Sequence, residues 1–419
     1  MPKIEKLIPG GQALATMPDG KKAFFWKALP EEIVVEYDVV KNKSHYFEAI
    51  ATKIENPSPH RQEPKDACFL ATSPWQILNY DYELSQKQEL IVEIFREQGI
   101  SIDKPEIATD FKDYFYRNKM EYALYWDREQ SKILPAFHAR GFHRKIPITS
   151  SSIERPELFQ RATEIIDGLN ANHEEARKYH SLLLRCNTKG EISGGLYENK
   201  KPHPVFDNLT DKILGQEFSY SPNGFFQINL PVYEMALKEI KKHINTDSVL
   251  DLYAGVGTIG LTVAPDCRLA LVEVDKSAYK ELERNCTMRQ VITTSEEHVC
   301  RRGKRGATEA RDDGPEGAFR RSSNNLPTPI LSKSEEVLSF INSDQTIILD
   351  PPRAGLDQKL VAHLAKARPK TIIYLSCNPI TQARDIKQLL DAYEIKKFKT
   401  FNFFPRTPHI ENLVVLERN

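Results

Sequence analysis

The sequence predicts an α/β protein whose carboxyl-terminal half is a doubly wound parallel sheet. Two observations carry that prediction. From about residue 207 onward, aliphatic strand-like runs alternate with amphipathic helical segments, the pattern of parallel strands joined by crossover helices. Three of those runs also end abruptly in residues with chemistry. Val249-Leu250-Asp251-Leu252-Tyr253 enters the glycine turn Ala254-Gly255-Val256-Gly257, Ile347-Ile348-Leu349-Asp350 enters Pro351-Pro352-Arg353, and Ile372-Ile373-Tyr374-Leu375-Ser376-Cys377 is stopped by Asn378-Pro379. Open α/β sheets bind ligands at the carboxyl edge of their strands, so an acid, a thiol and a glycine turn arrive at one such edge.

Taken in order, residues 1–58 read as short strands cut by the turns Gly10-Gly11 and Asp19-Gly20, with Phe24-Phe25-Trp26 and Ile33-Val34-Val35 as strand centres. A small β-barrel is expected there, followed by a linker at Pro57-Ser58-Pro59-His60-Arg61. Residues 59–205 form a mixed α+β middle domain. It contains a helix from Gln86 to Gln98, with Leu90, Ile91, Ile94 and Phe95 on one face, and strands around Met120 to Tyr125. Residues 206–419 are the Rossmann-like domain. Met235, Ala236, Leu237, Ile240 and Ile244 mark a helix before the strand at Val249. A helix begins near Ile259, a strand runs from Leu269 to Val274, and a helix from Ala278 to Cys286. Residues 293–329 break the pattern: nearly free of large aliphatics and rich in Arg, Gly, Glu, Asp and Ser, they read as a disordered insertion. A flexible RNA-binding loop and a damaged segment that leaves the sheet short of a strand are the alternatives.

The chain has 419 residues, enough for two or three domains, and its 58 basic side chains balance 58 acidic ones. Net charge therefore gives no signal for nucleic acid, though local basic patches survive a neutral total. Cysteines stand at 68, 186, 267, 286, 300 and 377 without a Cys-x-x-Cys pair, which argues against a disulfide framework and for a reduced, cytoplasmic setting. The amino terminus lacks an apolar signal core and no apolar run approaches a membrane span, so a soluble protein with no membrane partner is expected.

Only small residues let backbone amides approach a ligand at the turn 254–257, although many Rossmann-like folds share such a turn. Glu273, at the tip of the next strand, is placed to hydrogen-bond a ribose diol, with a merely solvated carboxylate as the alternative. Nothing nearby supplies the cation a pyrophosphate favours, which points to a non-phosphorylated nucleoside. Tyr114-Phe115-Tyr116-Arg117-Asn118-Lys119 interleaves aromatics with cations, which suits base stacking and phosphate contact. A strand of core aromatics with surface charges has the same composition.

Asp251-Leu252-Tyr253-Ala254-Gly255-Val256-Gly257, Asp350-Pro351-Pro352-Arg353-Ala354-Gly355, Ser376-Cys377-Asn378-Pro379 and His409-Ile410-Glu411, in that order, resemble the S-adenosylmethionine-dependent RNA uracil-C5 methyltransferases, which make 5-methyluridine in ribosomal and transfer RNA. Phe225-Phe226-Gln227-Ile228-Asn229 matches the segment before that family's first catalytic strand, and the first sixty residues resemble its TRAM barrel, an OB-like RNA-binding module. The resemblance covers most of the chain outside 290–335. It implies S-adenosylmethionine as cofactor, with Gln227, Tyr253, Glu273 and Asp350 at cofactor positions beside the turn at Gly255. It also implies RNA contact at Tyr116, Arg117 and Asn118, and a base at Glu411. Thr258 stands where an Asn is more usual, and the adenine-side contact falls where 293–329 lies, so it is not assigned.

The residue types fit that chemistry independently. Uracil C5 becomes nucleophilic only after something adds to C6, and a thiolate at Cys377 is suited to the addition. A base must then remove the C5 proton before the thiolate leaves. As plain structure, Cys377 would be a small buried hydrophobe and Glu411 a solvated charge before the last strand. Many relatives carry an iron–sulfur cluster on three close cysteines and a distant fourth. Here Asp66 to Gln76 contains Cys68 alone and Thr149-Ser150-Ser151-Ser152 contains none, so no cluster is expected. The barrel favours large-subunit (23S) ribosomal RNA as substrate over transfer RNA, and a monomer is expected. A catalytically silent RNA-binding protein and a small-molecule methyltransferase are the competing readings.

Overall fold

The structure, a computed structural model, describes residues 1–172, 178–198, 201–203, 206–297 and 326–419. Two compact units emerge. The first comprises Met1–Glu97, Ser101–Asp207 and Asn402–Ile410, and the second Gln98–Ile100, Asn208–Phe401 and Glu411–Asn419.

In the first unit, the strands Lys6–Leu7, Ala13–Thr16, Lys22–Trp26, Ile33–Asn42 and Tyr46–Glu55 form one sheet, with the last strand between the third and the fourth. An isolated antiparallel bridge joins Lys3 to Ile33, and the Ile4 and Val34 N–H groups donate to the carbonyls of Glu32 and Pro2 at 2.8 and 3.0 Å. The two open edges thereby satisfy each other, and the sheet closes as the barrel pattern predicts. Pro57 to Arg61, expected to be a linker, is tied down: the Arg61 guanidinium donates through Nε and Nη2 to both oxygens of buried Glu32, each at 2.6 Å.

Also in this unit, an antiparallel six-stranded sheet runs in the order Lys201–His203, Ile192–Glu198, Tyr179–Cys186, Lys119–Asp127, Lys132–His138, Lys145–Pro147. Helix Pro156–Ala171 packs on it. The helix expected from Gln86 spans Tyr80–Glu97 and buries Leu90, Ile91, Ile94 and Phe95, the face its periodicity marked. Buried charges hold residues 402–410 in the same unit. Lys87 Nζ donates to Glu83 Oε1, Asn402 Oδ1 and the Phe404 carbonyl at 2.8, 2.6 and 3.1 Å. Arg406 donates to the Leu78 carbonyl at 2.6 Å and pairs with Asp113. Charges this deep persist only when each is paired and hydrogen-bonded.

In the second unit, strands β1 (Ser248–Leu252), β2 (Arg268–Glu273), β3 (Thr328–Leu331), β4 (Thr346–Leu349), β5 (Thr371–Ser376), β6 (Tyr393–Phe401) and β7 (Glu411–Arg418) lie in the order β3-β2-β1-β4-β5-β7-β6. β1 to β5 are mutually parallel and β7 enters antiparallel beside β5. Helices α1 (Leu230–Lys241), α2 (Thr258–Val263), α3 (Lys276–Glu297), α4 (Gln358–Ala367) and α5 (Pro379–Lys387) surround the strands in sequence. With helices connecting successive parallel strands, the central strands β1, β4 and β5 are buried throughout. The strand order reverses between β1 and β4, which makes their carboxyl ends the ligand-binding edge.

The stretch 293–329 is corrected at both ends. α3 continues to Glu297, and Thr328 and Pro329 open β3, which pairs parallel with β2, so the sheet has its third strand. Pro329 is tolerated there because β3 is the last strand of that side of the sheet. The middle of the stretch lies outside the described residues.

Asp66 links two distant segments of the first unit. Its Oδ2 accepts from Gln76 Nε2 at 2.7 Å and from the Ser152 hydroxyl at 2.8 Å, and its Oδ1 accepts the Ser152 N–H at 3.0 Å. The carboxylate is buried, so Asp66→Ala strands three donors and should cost about 2–4 kcal/mol. All three tryptophans, Trp26, Trp75 and Trp126, lie in this unit, so urea unfolding followed by tryptophan fluorescence reads the loss directly. An unchanged midpoint would contradict the role assigned to Asp66.

Candidate active site at the carboxyl edge of the sheet

β5 and β7 pair antiparallel with Ser376 opposite Asn412. Cys377 follows Ser376 and Glu411 precedes Asn412, so both lie next to the last pair of the ladder. Gln382 of α5 locks that register: its Nε2 donates to the carbonyls of Tyr374 and Asn412 at 2.9 and 3.1 Å, and Asn412 Nδ2 donates back to its Oε1 at 2.8 Å. Each of these groups is buried and partnered, so a slipped register would break all three bonds.

The turn carrying Cys377 also grips the loop after β4. Asn378 caps α5 by accepting the Ile380 N–H at 3.3 Å, and its Nδ2 donates to the Arg353 carbonyl at 2.7 Å. The Thr381 hydroxyl donates to the same carbonyl at 3.2 Å. Gly355 makes this approach possible: with φ at +79°, a Cβ there would stand 2.6 Å from Asp385 Oδ2 and 2.9 Å from Thr381 Cβ. That Asp385 oxygen accepts the Leu356 N–H at 2.9 Å and the Tyr374 hydroxyl at 3.0 Å.

Four charged or ionisable groups thus meet at one edge: Asp350 and Arg353 after β4, Cys377 after β5 and Glu411 at the start of β7. Burial, then the Glu411 and Asp350 charges, push the Cys377 thiol up to about 11, while the Arg353 guanidinium and its hydrogen bond to the thiol act the other way. Burial raises Asp350 to about 7. Burial and Asp350 hold Glu411 well above the usual carboxylate range, against the pull of Arg353, and Glu411 Oε2 is buried without a hydrogen-bond partner. Arg353 is the member that sequence reasoning passed over. It stood inside the Asp-Pro-Pro-Arg motif, but only its approach to a thiol two strands' length away in sequence gives it a role.

Next to this cluster, Asp251 in β1 is fully buried, and its Oδ2 accepts the Gly260 N–H at 2.8 Å. Burial, then Asp350 and Glu273, raise Asp251 to about 8. Glu273 accepts the Gly255 N–H at 2.8 Å through Oε2, and the Val274 and Asp275 N–H groups at 2.8 and 2.7 Å through Oε1. The amides of Gly255 and Gly260 are therefore engaged by the carboxylates of Glu273 and Asp251, while the Gly257 N–H closes the turn on the Ala254 carbonyl at 2.8 Å. Tyr253 sits at φ +67°, a strained conformation for a tyrosine, and its hydroxyl hydrogen-bonds Ser334. Between these elements lies a cavity of about 200 Å³ lined by Tyr253, Val272, Glu273, Val274 and residues 332–335.

The remaining expected residues fall as follows. Gln227 is buried in the segment that leads to Asn229, the cap of α1. From α1, the Tyr233 hydroxyl hydrogen-bonds Thr258 Oγ1 at 2.7 Å, so the threonine that replaces asparagine is engaged within the protein. In the first unit, Tyr116 is buried with its hydroxyl donating to the Pro405 carbonyl at 3.1 Å, and Asn118 is buried beside the strand it opens. Arg117 is half-buried, its backbone forms an isolated parallel bridge with that of Glu154, and it lies two residues after the exposed Phe115.

An iron–sulfur cluster does not fit the region where relatives hold one. Cys68 is buried with its thiol raised to about 11, chiefly by burial, and Ser152, on the distant segment, is bonded to Asp66. Among the described residues, no group of three or more His, Cys, Asp or Glu side chains is placed to hold a metal. Nor is any described helix long and apolar enough to cross a membrane.

Comparison with known proteins agrees with this geometry. The model of the family described as tRNA (uracil-5-)-methyltransferase matches residues 207–419. A protein of Treponema denticola described as an RNA methyltransferase is 27% identical, covering 100% of this chain and 98% of its own. One of Lactiplantibacillus plantarum, with the same description, is 26% identical over 96% of this chain and 93% of its own. The crystal structure of the Pyrococcus abyssi tRNA (uracil-54, C5)-methyltransferase in complex with S-adenosyl-L-homocysteine superimposes with a TM-score of 0.73 at 21% identity, covering 99% of both chains. With the family model spanning more than half of its length, the chain belongs to the tRNA (uracil-5-)-methyltransferase family and is an RNA uracil-C5 methyltransferase.

Proposed function

We propose that the protein transfers a methyl group from S-adenosylmethionine to C5 of a uridine in RNA through a covalent bond between Cys377 and C6. The observation that carries this reading is the proximity of Cys377, just past the end of β5, to Glu411 at the start of the neighbouring β7, beside Asp350. The thiolate of Cys377 adds to C6, and the electron pair moves through C5 toward the O4 carbonyl. When bound, S-adenosylmethionine would supply an electrophilic methyl on a sulfonium, which C5 takes up as the methyl–sulfur bond breaks and the thioether S-adenosylhomocysteine leaves. Glu411 then accepts the C5 proton, the C5–C6 double bond re-forms and the thiolate leaves. A carboxyl kept well above its usual range is a stronger base for that carbon-bound proton.

The cavity beside Tyr253 and Glu273 supports the cofactor assignment. Its volume of about 200 Å³ falls below the ~300 Å³ of a whole-ligand pocket, which suits the nucleoside portion of a larger molecule. Glu273 retains lone pairs for a ribose diol, and Gln227, Gly255 and Asp350 complete the proposed cofactor set. Phe115 and Arg117, with Tyr116 and Asn118 as their buried support, form the proposed RNA contact. The target uridine must leave its stack to expose C6, which favours a loop or an opened helix.

Large-subunit ribosomal RNA is the reading that the amino-terminal barrel suggests. Transfer RNA is a second reading, favoured by one observation: the archaeal protein named for transfer RNA shares this fold over 99% of both chains, barrel included. The barrel therefore does not separate the two. A soluble, cytoplasmic monomer is the proposed state.

Methyl transfer from labelled S-adenosylmethionine to unmodified ribosomal and transfer RNA tests the reaction and names the RNA class. Labelled 5-methyluridine in one of them, lost with Cys377→Ala, is the expected outcome; its absence from both would favour a silent RNA-binding protein. Glu411→Gln should stop turnover after methyl transfer and leave protein covalently attached to RNA, visible as a denaturation-resistant gel shift. Cys377 and Glu411 must both be deprotonated to act, and both are raised. The single-turnover rate should therefore climb with pH from 6 to 9, by about tenfold per unit where one group limits. A rate that falls with rising pH would contradict the assignment.

A further inference from the structure

We propose that Phe111 and Phe115 form a two-ring platform on which unpaired RNA bases stack, with the Lys65 ammonium beside it to meet the phosphate backbone. The inference adds Phe111 and Lys65 to the proposed RNA contact, and it rests on RNA as the substrate. Both phenylalanines are exposed, Phe111 to 75% and Phe115 to 37%. Both also hold positive φ, +61° and +55°, a conformation that is costly for a bulky L-residue. Among the described residues three aromatics stand at positive φ, and the third, Tyr253, lines the cavity assigned to the cofactor. Exposing two apolar rings at strained positions costs stability, and a ligand that covers the rings offsets that cost.

The loop that carries them is firmly held. The Tyr80 and Thr109 hydroxyls share a hydrogen bond of 2.6 Å, and Thr109 Oγ1 accepts the Phe111 N–H at 3.1 Å. Asp113 pairs with buried Arg406, Tyr114 and Tyr116 are buried, and the Phe115 N–H donates to the Ser152 carbonyl at 2.9 Å. Anchored residues thus flank each exposed ring along the chain. Such preorganisation lowers the entropy cost of binding.

The charges favour a polyanion that carries aromatic faces. Lys65 Nζ lies 3.9 Å from the Tyr114 ring centroid and 5.9 Å from that of Phe115. Lys65 is exposed and forms no ion pair among the described residues, and Lys112, next to Phe111, is exposed as well. Of the neighbouring acids, Asp113 pairs with Arg406, Glu157 pairs with Arg155, and Asp110 accepts the Lys112 N–H at 3.1 Å. Every nucleobase offers a π-face to a ring, and the phosphates between bases match the lysine. A base stacked within a duplex has no free face, so the platform selects single strands.

Fluorescence anisotropy of a labelled oligouridylate of about twelve nucleotides, titrated with the intact chain, tests this. Phe111→Gly relieves the backbone strain, so the urea midpoint should stay at or above the wild-type value while binding weakens about fivefold or more. Phe111→Leu and Phe115→Leu keep an apolar side chain without a π-face and should lose as much, whereas Phe111→Trp should retain wild-type affinity. The same strand annealed to oligoadenylate should bind without regard to Phe111. Lys65→Gln should lower the slope of log affinity against log salt by about 0.7, the share of one phosphate contact on a single strand. Binding within twofold of wild type for Phe111→Gly or Phe111→Leu overturns the proposal, the latter because apolar contact without stacking would suffice. A lower urea midpoint for Phe111→Gly, or an equal loss on the duplex, overturns it equally, and an unchanged salt slope overturns the role of Lys65. No methyl donor is present, so the outcome is separable from the methyl-transfer reading. A chain that makes 5-methyluridine yet binds without regard to Phe111 sinks this inference alone, and one that needs Phe111 to bind but methylates nothing sinks only the proposed reaction.

Discussion

The antiparallel register of β7 against β5 is the constraint on which the candidate site depends. β5 is a buried strand that delivers Cys377 to the carboxyl edge, and β7 begins at that edge with Glu411. A parallel β7 would have put its first residue at the opposite end of the sheet. A one-residue slip would have turned Glu411 to the other face. The Gln382–Asn412 exchange fastens the register from below, because it engages both side chains of a buried amide pair and the carbonyl of the residue two before Ser376. Thr400 on β6 completes the lock by donating to Asn412 Oδ1 at 3.2 Å.

Burial then sets the chemistry of the groups so assembled. Asp251, Asp350 and Glu411 all lie where the charged form is penalised, and each raises its neighbours further. Two carboxyls and a thiol this close do not ionise independently; they titrate as a set whose total charge is limited by the one guanidinium among them. Such a site costs stability, since its groups would be better solvated in water. The hydrogen bonds around Asp385, Asn378 and Gly355 show where that cost is offset, in a loop-to-helix junction with little freedom to relax.

Much of this was legible in the sequence. Ile347–Leu349 and Ile372–Leu375 are continuous aliphatic runs because their strands are covered on both faces, and each run ends at the residue that carries function. β3 was not legible: Thr328-Pro329-Ile330-Leu331 is four residues long, contains a proline and follows a polar stretch, and only its pairing with β2 defines it. Nor could the sequence place Asn402–Ile410 with the first unit, because the link rests on Lys87 and Glu83, some three hundred residues earlier, which nothing in their local sequence marks as buried. The same holds for Arg353, whose partner is set by tertiary packing. The aromatic–cation alternation at 114–119 carried two readings, and composition alone could not separate a buried Tyr116 from an exposed one.

Trapping on RNA substituted with 5-fluorouridine tests the central claim most directly, because fluorine at C5 cannot be removed as a proton and the adduct persists once formed. With S-adenosylmethionine present, the account predicts a stable protein–RNA conjugate whose peptide mass maps the bond to Cys377. Methyl transfer to natural RNA without a conjugate on the fluorinated RNA, or a conjugate mapped to another residue, would contradict it.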